Sequence, residues 1–353
     1  MCRSPLHAFL AELPKCEHHV HLEGSLEPSL LFELARTNGI GLPANDAAFQ
    51  SETALTARYQ RFTSLQDFLT YYYIGMSVLI RAEDFEALAW QYFVKAHSDG
   101  VHHAEVFFDP QAHLSRGIQY GTVIAGFDKA RTRAKLELGL TAELICCFLR
   151  HLPVHESLAV FEHPDLQQSY SNGTVKGIGL DSSELPFPPA LFEDIFKRAD
   201  AMGLRRTAHA GEEGPASYIA SALECLGVER IDHGIALHMD EELMRNVAGR
   251  QTLLTVCPMS NVRLRCVNHI SEVPIRKFLD AGVKFSINSD DPAYFGGYIL
   301  DNYCAVHEAH NLSLEEWAGV SRASIEGSWC DEVRKREILD ALEALLKKWE
   351  GKV

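Results

Sequence analysis

Short apolar runs recur along the chain and alternate with longer stretches whose apolar residues have helical spacing. Several runs are almost continuously apolar, which is typical of strands covered on both faces. The pattern predicts strands at Lys15–Leu22, His102–Phe108, Ala142–Leu149, Val175–Leu180, Arg206–Ala210, Arg230–His233, Leu253–Cys257 and Lys284–Asn288. It predicts amphipathic helices at Asp84–His97, Thr122–Leu138, Pro189–Ala201, Glu241–Ala248 and Pro274–Ala281. About eight alternations indicate an α/β fold, the parallel (β/α)₈ TIM barrel.

Two segments lie outside this minimal barrel pattern. Phe62–Ile80 carries apolar residues at helical spacing after the first strand, and we interpret it as core or lid-support packing, with a lid as the alternative. Residues 338–349 are predicted to form an amphipathic helix packed on the outside. No linker, low-complexity stretch or repeat divides the chain, which predicts a single domain over residues 1–353.

The composition narrows the choice of partners. The 353 residues are 46% hydrophobic and 23% charged, and their formal net charge is −15. Nucleic-acid binding requires a basic surface, so we expect no nucleic-acid partner. No signal-peptide pattern and no bilayer-length apolar run is present, so we expect no membrane partner and a cytoplasmic location, with the nucleus as the alternative. The sequence does not predict the oligomeric state.

Polar residues at the ends of three predicted strands suggest a metal site. His19 and His21 are two residues apart at the end of the first strand, so their side chains point to one face. His209 ends the fifth strand and Asp290 follows the eighth. The carboxyl ends of barrel strands meet at one rim, where the chemistry of such barrels takes place. Three imidazoles and one carboxylate suit one zinc ion with an open position for water.

Two further side chains on the same rim have the chemistry of acid and base. Glu212 follows His209 by three residues, and burial beside other acidic groups would raise its pKa and make it a proton donor. His233 ends the sixth strand, where a neutral imidazole can accept a proton from water or orient it. The alternatives are a first-turn helix glutamate and a core histidine bonded to backbone. Asp291 diverges from Asp290 and can face a substrate, or open a turn instead.

Other metal chemistries fit the sequence less well. His21-Leu22-Glu23 matches the first half of the cytidine-deaminase signature, but no P-C-x-x-C follows. No H-E-x-x-H motif occurs. A two-metal barrel would place a bridging lysine at the end of the fourth strand, whereas Lys176 lies at its beginning, so we expect one metal. His151 and His155 have helical spacing without matching partners, and we interpret them as structural.

Five motifs resemble, in order and over nearly the whole chain, those of the adenosine/adenine deaminase family. They are Cys16-Glu17-His18-His19-Val20-His21-Leu22-Glu23-Gly24-Ser25, His209-Ala210-Gly211-Glu212, Ile231-Asp232-His233-Gly234, Cys257-Pro258-Met259-Ser260-Asn261 and Asn288-Ser289-Asp290-Asp291-Pro292. The resemblance implies a zinc-dependent (β/α)₈ enzyme that deaminates a purine. It implies that His19, His21, His209 and Asp290 bind zinc, Glu212 donates a proton, His233 positions the attacking water, and Asp291 pairs with the purine.

Three departures from the nucleoside-using branch of that family concern the substrate. Glu23 stands where that branch usually has aspartate, Phe107 where it has arginine, and Glu184 where it has glycine. These residues, with Asp109-Pro110-Gln111-Ala112-His113, resemble the adenine-using branch, particularly its fungal members. Glu23 and Glu184 would crowd a ribose and are expected to bind the N9–H and N3 edge of a free base.

The resemblance therefore implies hydrolysis of adenine to hypoxanthine and ammonia in purine salvage. One alternative is deamination of adenosine or of an N6-modified purine. An alternative of another class is a zinc- and purine-binding protein without catalysis, although mere purine binding would need neither Glu212 nor His233.

Overall fold

Eight parallel strands form the centre of the protein in a computed structural model that describes residues 6–352. Their bounds are β1 (Lys15–Glu17), β2 (Val101–Phe108), β3 (Thr141–Leu149), β4 (Val175–Asp181), β5 (Arg205–Ala210), β6 (Arg230–His233), β7 (Leu253–Val256) and β8 (Phe285–Ile287). Each strand pairs in parallel with the next one along the chain. The TIM-barrel prediction is therefore confirmed, and the carboxyl ends of all strands meet at one mouth.

Helices connect the strands and cover the outside of the barrel. They are α1 (His7–Glu12), α2 (Pro28–Asn38), α3 (Glu52–Tyr59), α4 (Leu65–Met76), α5 (Ala82–Ser98), α6 (Pro110–Leu114), α7 (Tyr120–Leu138), α8 (Val154–Phe161), α9 (Pro164–Ser171), α10 (Glu193–Ala201), α11 (Ala216–Cys225), α12 (Glu241–Arg250), α13 (Pro258–Arg263), α14 (Ile275–Ala281), α15 (Pro292–Phe295), α16 (Ile299–His310), α17 (Leu314–Glu326) and α18 (Glu332–Trp349). Short 3₁₀ turns occur at Glu23–Ser25, Ala47–Gln50, Pro189–Phe192, Ile235–Met239 and Ile270–Glu272. Within residues 6–352, no helix has the length and apolar character needed to span a membrane.

The first strand is shorter than predicted, and its end closes the barrel. The regular ladder of β1 stops at Glu17, and beyond it only Val20 and His21 make isolated bridges. Asp290 donates its backbone N–H to the carbonyl of His19 (3.0 Å) and accepts the N–H of His21 (2.9 Å). These bonds join the end of the first strand to the segment after β8. They hold the histidine pair and Asp290 together by backbone alone.

The ladder between β4 and β5 is also short. Only Gly177 with Arg205 and Ile178 with Arg206 are paired, so the two strands are unpaired towards the mouth. Glycine is required on this part of β4, because a Cβ at Gly177 would lie 2.5 Å from the carbonyl oxygen of Arg205. A Cβ at Gly179 would lie 2.5 Å from Sγ of Cys147.

The interior of the barrel is layered because alternate residues of each strand point inward. On β2, His103 and Glu105 lie at the amino-terminal end, while Phe107 lies nearer the mouth. Phe107 forms a buried apolar layer with Ile145, Cys147 and Trp329. This layer separates a set of paired charges below it from the polar mouth above it.

The two added segments form helices as predicted. Phe62–Ile80 contains α4, whose side chains cover the mouth on one side, and residues 338–349 belong to α18. Ile338, Leu342 and Leu345 of α18 are buried, as an amphipathic helix on the outside of a barrel requires.

Candidate active site

Four side chains from three parts of the chain converge at the mouth. One ligand atom each from His19, His21, His209 and Asp290 lies within 4.8 Å of the other three. Asp290 Oδ1 is 3.1 Å from His19 Nε2 and 3.5 Å from His21 Nε2. The Nε2 atoms of His21 and His209 are 3.3 Å apart. The structure thus brings together the four predicted ligands.

The opposite nitrogen of each ring faces an oxygen. His19 Nδ1 lies 2.9 Å from the Thr255 hydroxyl. His209 Nδ1 lies 3.6 Å from Oδ2 of Asp232, and His21 Nδ1 lies 3.6 Å from Oδ2 of Asp181. A hydrogen bond such as that of His19 fixes the tautomer and orientation of a metal-binding histidine, and the carboxylates near His21 and His209 favour the same orientation. All three Nε2 atoms are therefore directed to the same point.

This arrangement fits a zinc ion. Zinc bonded at about 2.0–2.1 Å places neighbouring ligand atoms of a tetrahedron roughly 3.3 Å apart, which is the spacing found here. His19 Nε2 is fully buried and has no hydrogen-bond partner among the described residues. Burial lowers the pKa of His21 and of His209. Both rings are accordingly neutral, which metal binding requires.

The backbone at the mouth is held in an uncommon conformation. Asp290 has a φ of 64° and His233 a φ of 61°, in the left-handed region that costs a non-glycine residue energy. The buried carboxylate of Glu17 accepts the backbone N–H (3.0 Å) and the hydroxyl (2.5 Å) of Ser289. This contact fixes the residue that precedes Asp290. The strain therefore persists because the surrounding bonds determine the backbone.

Glu212 and His233 lie beside the four predicted ligands, and His233 also forms a second possible metal-binding group with His19, Cys257 and Asp290. His233 Nε2 is 3.5 Å from Oε2 of Glu212 and 3.7 Å from Oδ2 of Asp290. Burial, followed by the charge of Asp290, raises the pKa of Glu212 well above its usual value. Burial, followed by the charge of His19, lowers the pKa of His233 to about 3. A protonated carboxyl and a neutral imidazole thus face the same space, as an acid and a base would.

Asp291 lines the same cavity as Asp290. It is buried, its Oδ1 has no hydrogen-bond partner in the described part of the chain, and burial raises its pKa. Gly24 makes room for it, because a Cβ there would lie 2.0 Å from Asp291 Oδ1. Position 24 therefore requires glycine, because a larger residue would clash with Asp291.

The cavity at the mouth is narrow and has both apolar and acidic walls. It leaves about 420 Å³ of space between protein atoms, part of it open to solvent. Its walls are formed by His21, Leu65, Phe68, Leu69, Tyr72, Tyr73, Asp109, Leu149, Asp181, Ser182, His209, Glu212, His233, Leu264, Asp290 and Asp291. The apolar face of α4 thus covers a pocket that also contains three of the predicted metal ligands, His21, His209 and Asp290.

Glu23 and Glu184, predicted to contact substrate, lie behind this wall and not in it. Glu23 Oε1 accepts the backbone N–H of Asp109 (3.2 Å) and lies 2.7 Å from His113 Nε2. Both oxygens of Glu184 accept backbone N–H groups of the loop at residues 211–214. Oε2 of Glu23 is buried without a hydrogen-bond partner among the described residues, so substrate contact by Glu23 and Glu184 stays a prediction.

Two carboxylates that were not predicted as site residues line the cavity. Asp109 follows β2 and Asp181 ends β4, and each has a buried Oδ1 without a hydrogen-bond partner among the described residues. Their positions at strand ends were the available signal, since His209 and His233 were found by the same rule. Asp232 and Thr255, which support the histidines, gave no separate signal.

Comparison with known proteins places the chain among purine deaminases. The sequence model of the adenosine deaminase family matches residues 14–345. The chain belongs to the adenosine deaminase family. A relative from Aspergillus fumigatus, described as adenine deaminase, is 58% identical over 350 residues, which cover 99% of each chain.

Two solved structures are similar over nearly the whole chain. The crystal structure of adenine deaminase from Arthrobacter aurescens has a TM-score of 0.89 and 42% identity, and the match covers 95% of this chain and 99% of that one. An amidohydrolase from Burkholderia ambifaria with bound Zn has a TM-score of 0.86 and 27% identity, with 98% and 97% covered.

Proposed function

We propose that the protein is a zinc-dependent hydrolase that converts adenine and water to hypoxanthine and ammonia. The observation that carries this function is the convergence of four zinc-type ligand atoms beside a protonated Glu212 and a neutral His233. The similar proteins from Aspergillus fumigatus and Arthrobacter aurescens are described as adenine deaminases, which supports the same substrate.

His19, His21, His209 and Asp290 would hold one zinc ion. Bound zinc lowers the pKa of water to about 7 and so supplies a nucleophile at neutral pH. His233 lies within 3.7 Å of Asp290 and has the neutral form needed to accept a proton from the attacking water. Together, His233 and Asp290 orient the water towards C6 of the purine.

Glu212 acts on the purine ring itself. Its carboxyl donates a proton to N1, which draws electrons from C6 and makes that carbon electrophilic. Water oxygen then forms a bond to C6, and the carbon becomes tetrahedral. When the C6–N6 bond breaks, the amino group leaves as ammonia with the proton that His233 took from the water. The hydroxyl on C6 gives its proton back to Glu212, and the ring becomes that of hypoxanthine. Asp291 pairs with N7 and fixes the ring plane.

The remaining polar wall favours a free base. Adenine carries a ring N–H at the position where adenosine carries its ribose. Asp109 Oδ1 and Asp181 Oδ1 are buried acceptors without a partner, and a ring N–H can satisfy one of them. A ribose at this position would instead face two carboxylates in a narrow space. Glu23 acts indirectly, since it holds the backbone N–H of Asp109.

Ammonia release from adenine and from adenosine, measured side by side on zinc-loaded protein, tests the function. We expect a strong preference for adenine in kcat/KM. A preference for adenosine would overturn the substrate, and purine binding without ammonia release would favour a binding protein. Purine salvage in the cytoplasm, with the nucleus as the alternative location, is part of the proposal.

A further inference from the structure

Two buried charged side chains occupy the gap between β4 and β5. Arg150 follows β3 and is fully buried. Its Nη1 donates to the carbonyl of His209 (2.7 Å), and its Nε donates to the carbonyl of Phe187 (2.9 Å). These bonds connect the loop after β4 with the end of β5, where the strands themselves are unpaired.

Glu184 makes the second connection across this gap. Its Oε1 accepts the backbone N–H of Glu212 (2.9 Å). Its Oε2 accepts the N–H groups of Gly214 (2.8 Å) and Gly211 (3.1 Å). Successive N–H groups directed at one anion form a nest, which binds negative charge well. One carboxylate thus fixes the backbone of the residue whose side chain is the acid.

The charges of the two residues also compensate each other. Burial lowers the pKa of Arg150, and the charge of Glu184 opposes that shift more than any other group does. A lone buried charge would be costly, whereas a pair with all these backbone bonds is tolerated. Gly214 is shaped to this contact, since a Cβ there would lie 2.3 Å from Glu184 Oε2.

We propose that Arg150 and Glu184 form a clamp that positions Glu212 for proton transfer. They do so in place of the strand pairing that is missing between β4 and β5. Neither side chain is among those that line the cavity. The role rests on the acid function of Glu212, and it explains why a full side chain stands at position 184. A displacement of Glu212 by about 1 Å can cost about 100-fold in rate, so kcat should be sensitive to the clamp.

Glu184→Gln tests the clamp, because an amide offers one acceptor and turns an NH₂ group towards a backbone N–H. We expect kcat on adenine to fall 10- to 100-fold, while KM changes less than about threefold and zinc content is unchanged. Glu224→Gln, at an exposed glutamate of α11, is the matched control and should behave as wild type.

A double-mutant cycle separates positioning from a general structural role. If Glu184 acts through Glu212, adding Glu184→Gln to Glu212→Gln should reduce the residual kcat less than about twofold. If the two losses multiply, Glu184 does not act through the acid and the clamp is overturned. A Glu212→Gln variant with normal turnover would instead overturn the proposed function.

Gly214→Ala provides an independent variant that keeps both charges. Its Cβ would displace the Glu184 carboxylate, so the same selective loss of kcat is expected. Gly249→Ala, where a Cβ meets nothing within 4 Å, is its control. If Gly214→Ala leaves kcat unchanged in folded, zinc-loaded protein, the proposal is wrong.

Discussion

The charged side chains at both ends of the barrel interior are buried, but the two ends differ in how those side chains are paired. At the amino-terminal end, which we call the floor, Glu105 contacts Arg230 Nη2, and Glu105 Oε1 lies 3.2 Å from His103 Nε2. The guanidinium of Arg230 lies 4.1 Å from the centre of the Trp329 ring. At the mouth, Asp109, Asp181 and Asp291 each retain a buried oxygen without a partner within residues 6–352.

The pKa shifts follow this difference. Burial is the largest effect on Glu105 and raises its pKa, but the charge of Arg230 together with the hydrogen bond from His103 and the charges of His18 and His103 holds that pKa well below its usual range. At the mouth, burial raises the pKa of Glu212, Asp181 and Asp291, and neighbouring acids add to the shift. The carboxylate of the floor is thus paired with a cation, although Nε and Nη1 of Arg230 have no hydrogen-bond partner among the described residues. The carboxylates of the mouth face one another instead, as we expect of a site that takes up a metal and a substrate.

The largest effect is expected at the mouth. Glu212→Gln removes the proton donor, and kcat on adenine should fall about 10²- to 10⁴-fold. The unfolding free energy should stay the same or increase, because an ionisable group is removed from a buried site with raised pKa. Steady-state kinetics and urea unfolding on the same preparation measure both quantities. Near-normal turnover would exclude the acid role.

The floor should respond in the opposite way. Arg230→Met leaves Glu105 as an unpaired buried charge, which should lower the unfolding free energy by about 3–5 kcal/mol. The folded fraction, measured at low temperature, should retain near-normal kcat because no contact to the mouth is lost. Arg250→Met, at an exposed arginine that ends α12, is the control. Equal stability of the two variants would mean that the floor network is not stabilising.

The wall of the cavity should determine selectivity. Asp109→Ala removes the acceptor expected for the ring N–H of the base, and a hydrogen bond to a charged group contributes about 1.5–3 kcal/mol. The kcat/KM for adenine should therefore fall roughly 10- to 100-fold, and more than any residual activity on adenosine. Asp340→Ala on the exposed face of α18 is the control. An unchanged ratio of the two activities would remove Asp109 from substrate recognition.

The last effect is a pH dependence of stability at the floor. Lys15, the first residue of β1, donates to the carbonyls of Leu10 and Leu13, and burial lowers its pKa to about 7. Between pH 7 and about 10.4 the unfolded chain binds a proton that the native protein lacks. The unfolding free energy of wild type should therefore rise with pH, by up to about 1.4 kcal/mol per unit, from this group.

Lys15→Met isolates that contribution. The difference in unfolding free energy between wild type and variant should change in favour of wild type as the pH rises from 7 to 10. Urea unfolding at several pH values measures it. A difference that is independent of pH would show that Lys15 titrates alike in the folded and unfolded chains.

Most of the fold followed from the sequence because barrel strands are nearly continuous apolar runs. The least accurate strand was the first, predicted as Lys15–Leu22, whose ladder ends at Glu17. Its apolar residues Val20 and Leu22 gave the pattern of a longer strand. The backbone there instead bonds to Asp290 and Phe107, which are distant in sequence and leave no local signal.

The site was predictable where chemistry follows strand ends, and less so where side chains act on backbone. The four predicted ligands, Glu212, His233 and Asp291 are all at the mouth. Glu23 and Glu184 have the right charge and lie near the site, but neither lines the cavity, and Glu184 accepts backbone N–H groups that only a folded loop presents. Asp109 was named only as part of a motif, because a carboxylate before proline is also a common turn residue.

The most direct test of the central claim is zinc stoichiometry in wild type and in Asp290→Asn, each freed of metal and then titrated with Zn²⁺ by calorimetry. We expect one tightly bound zinc per chain in wild type. We expect the affinity of the variant for zinc to be lower by at least about tenfold. Wild-type protein that binds no zinc, or a variant that binds it equally well, would contradict the account.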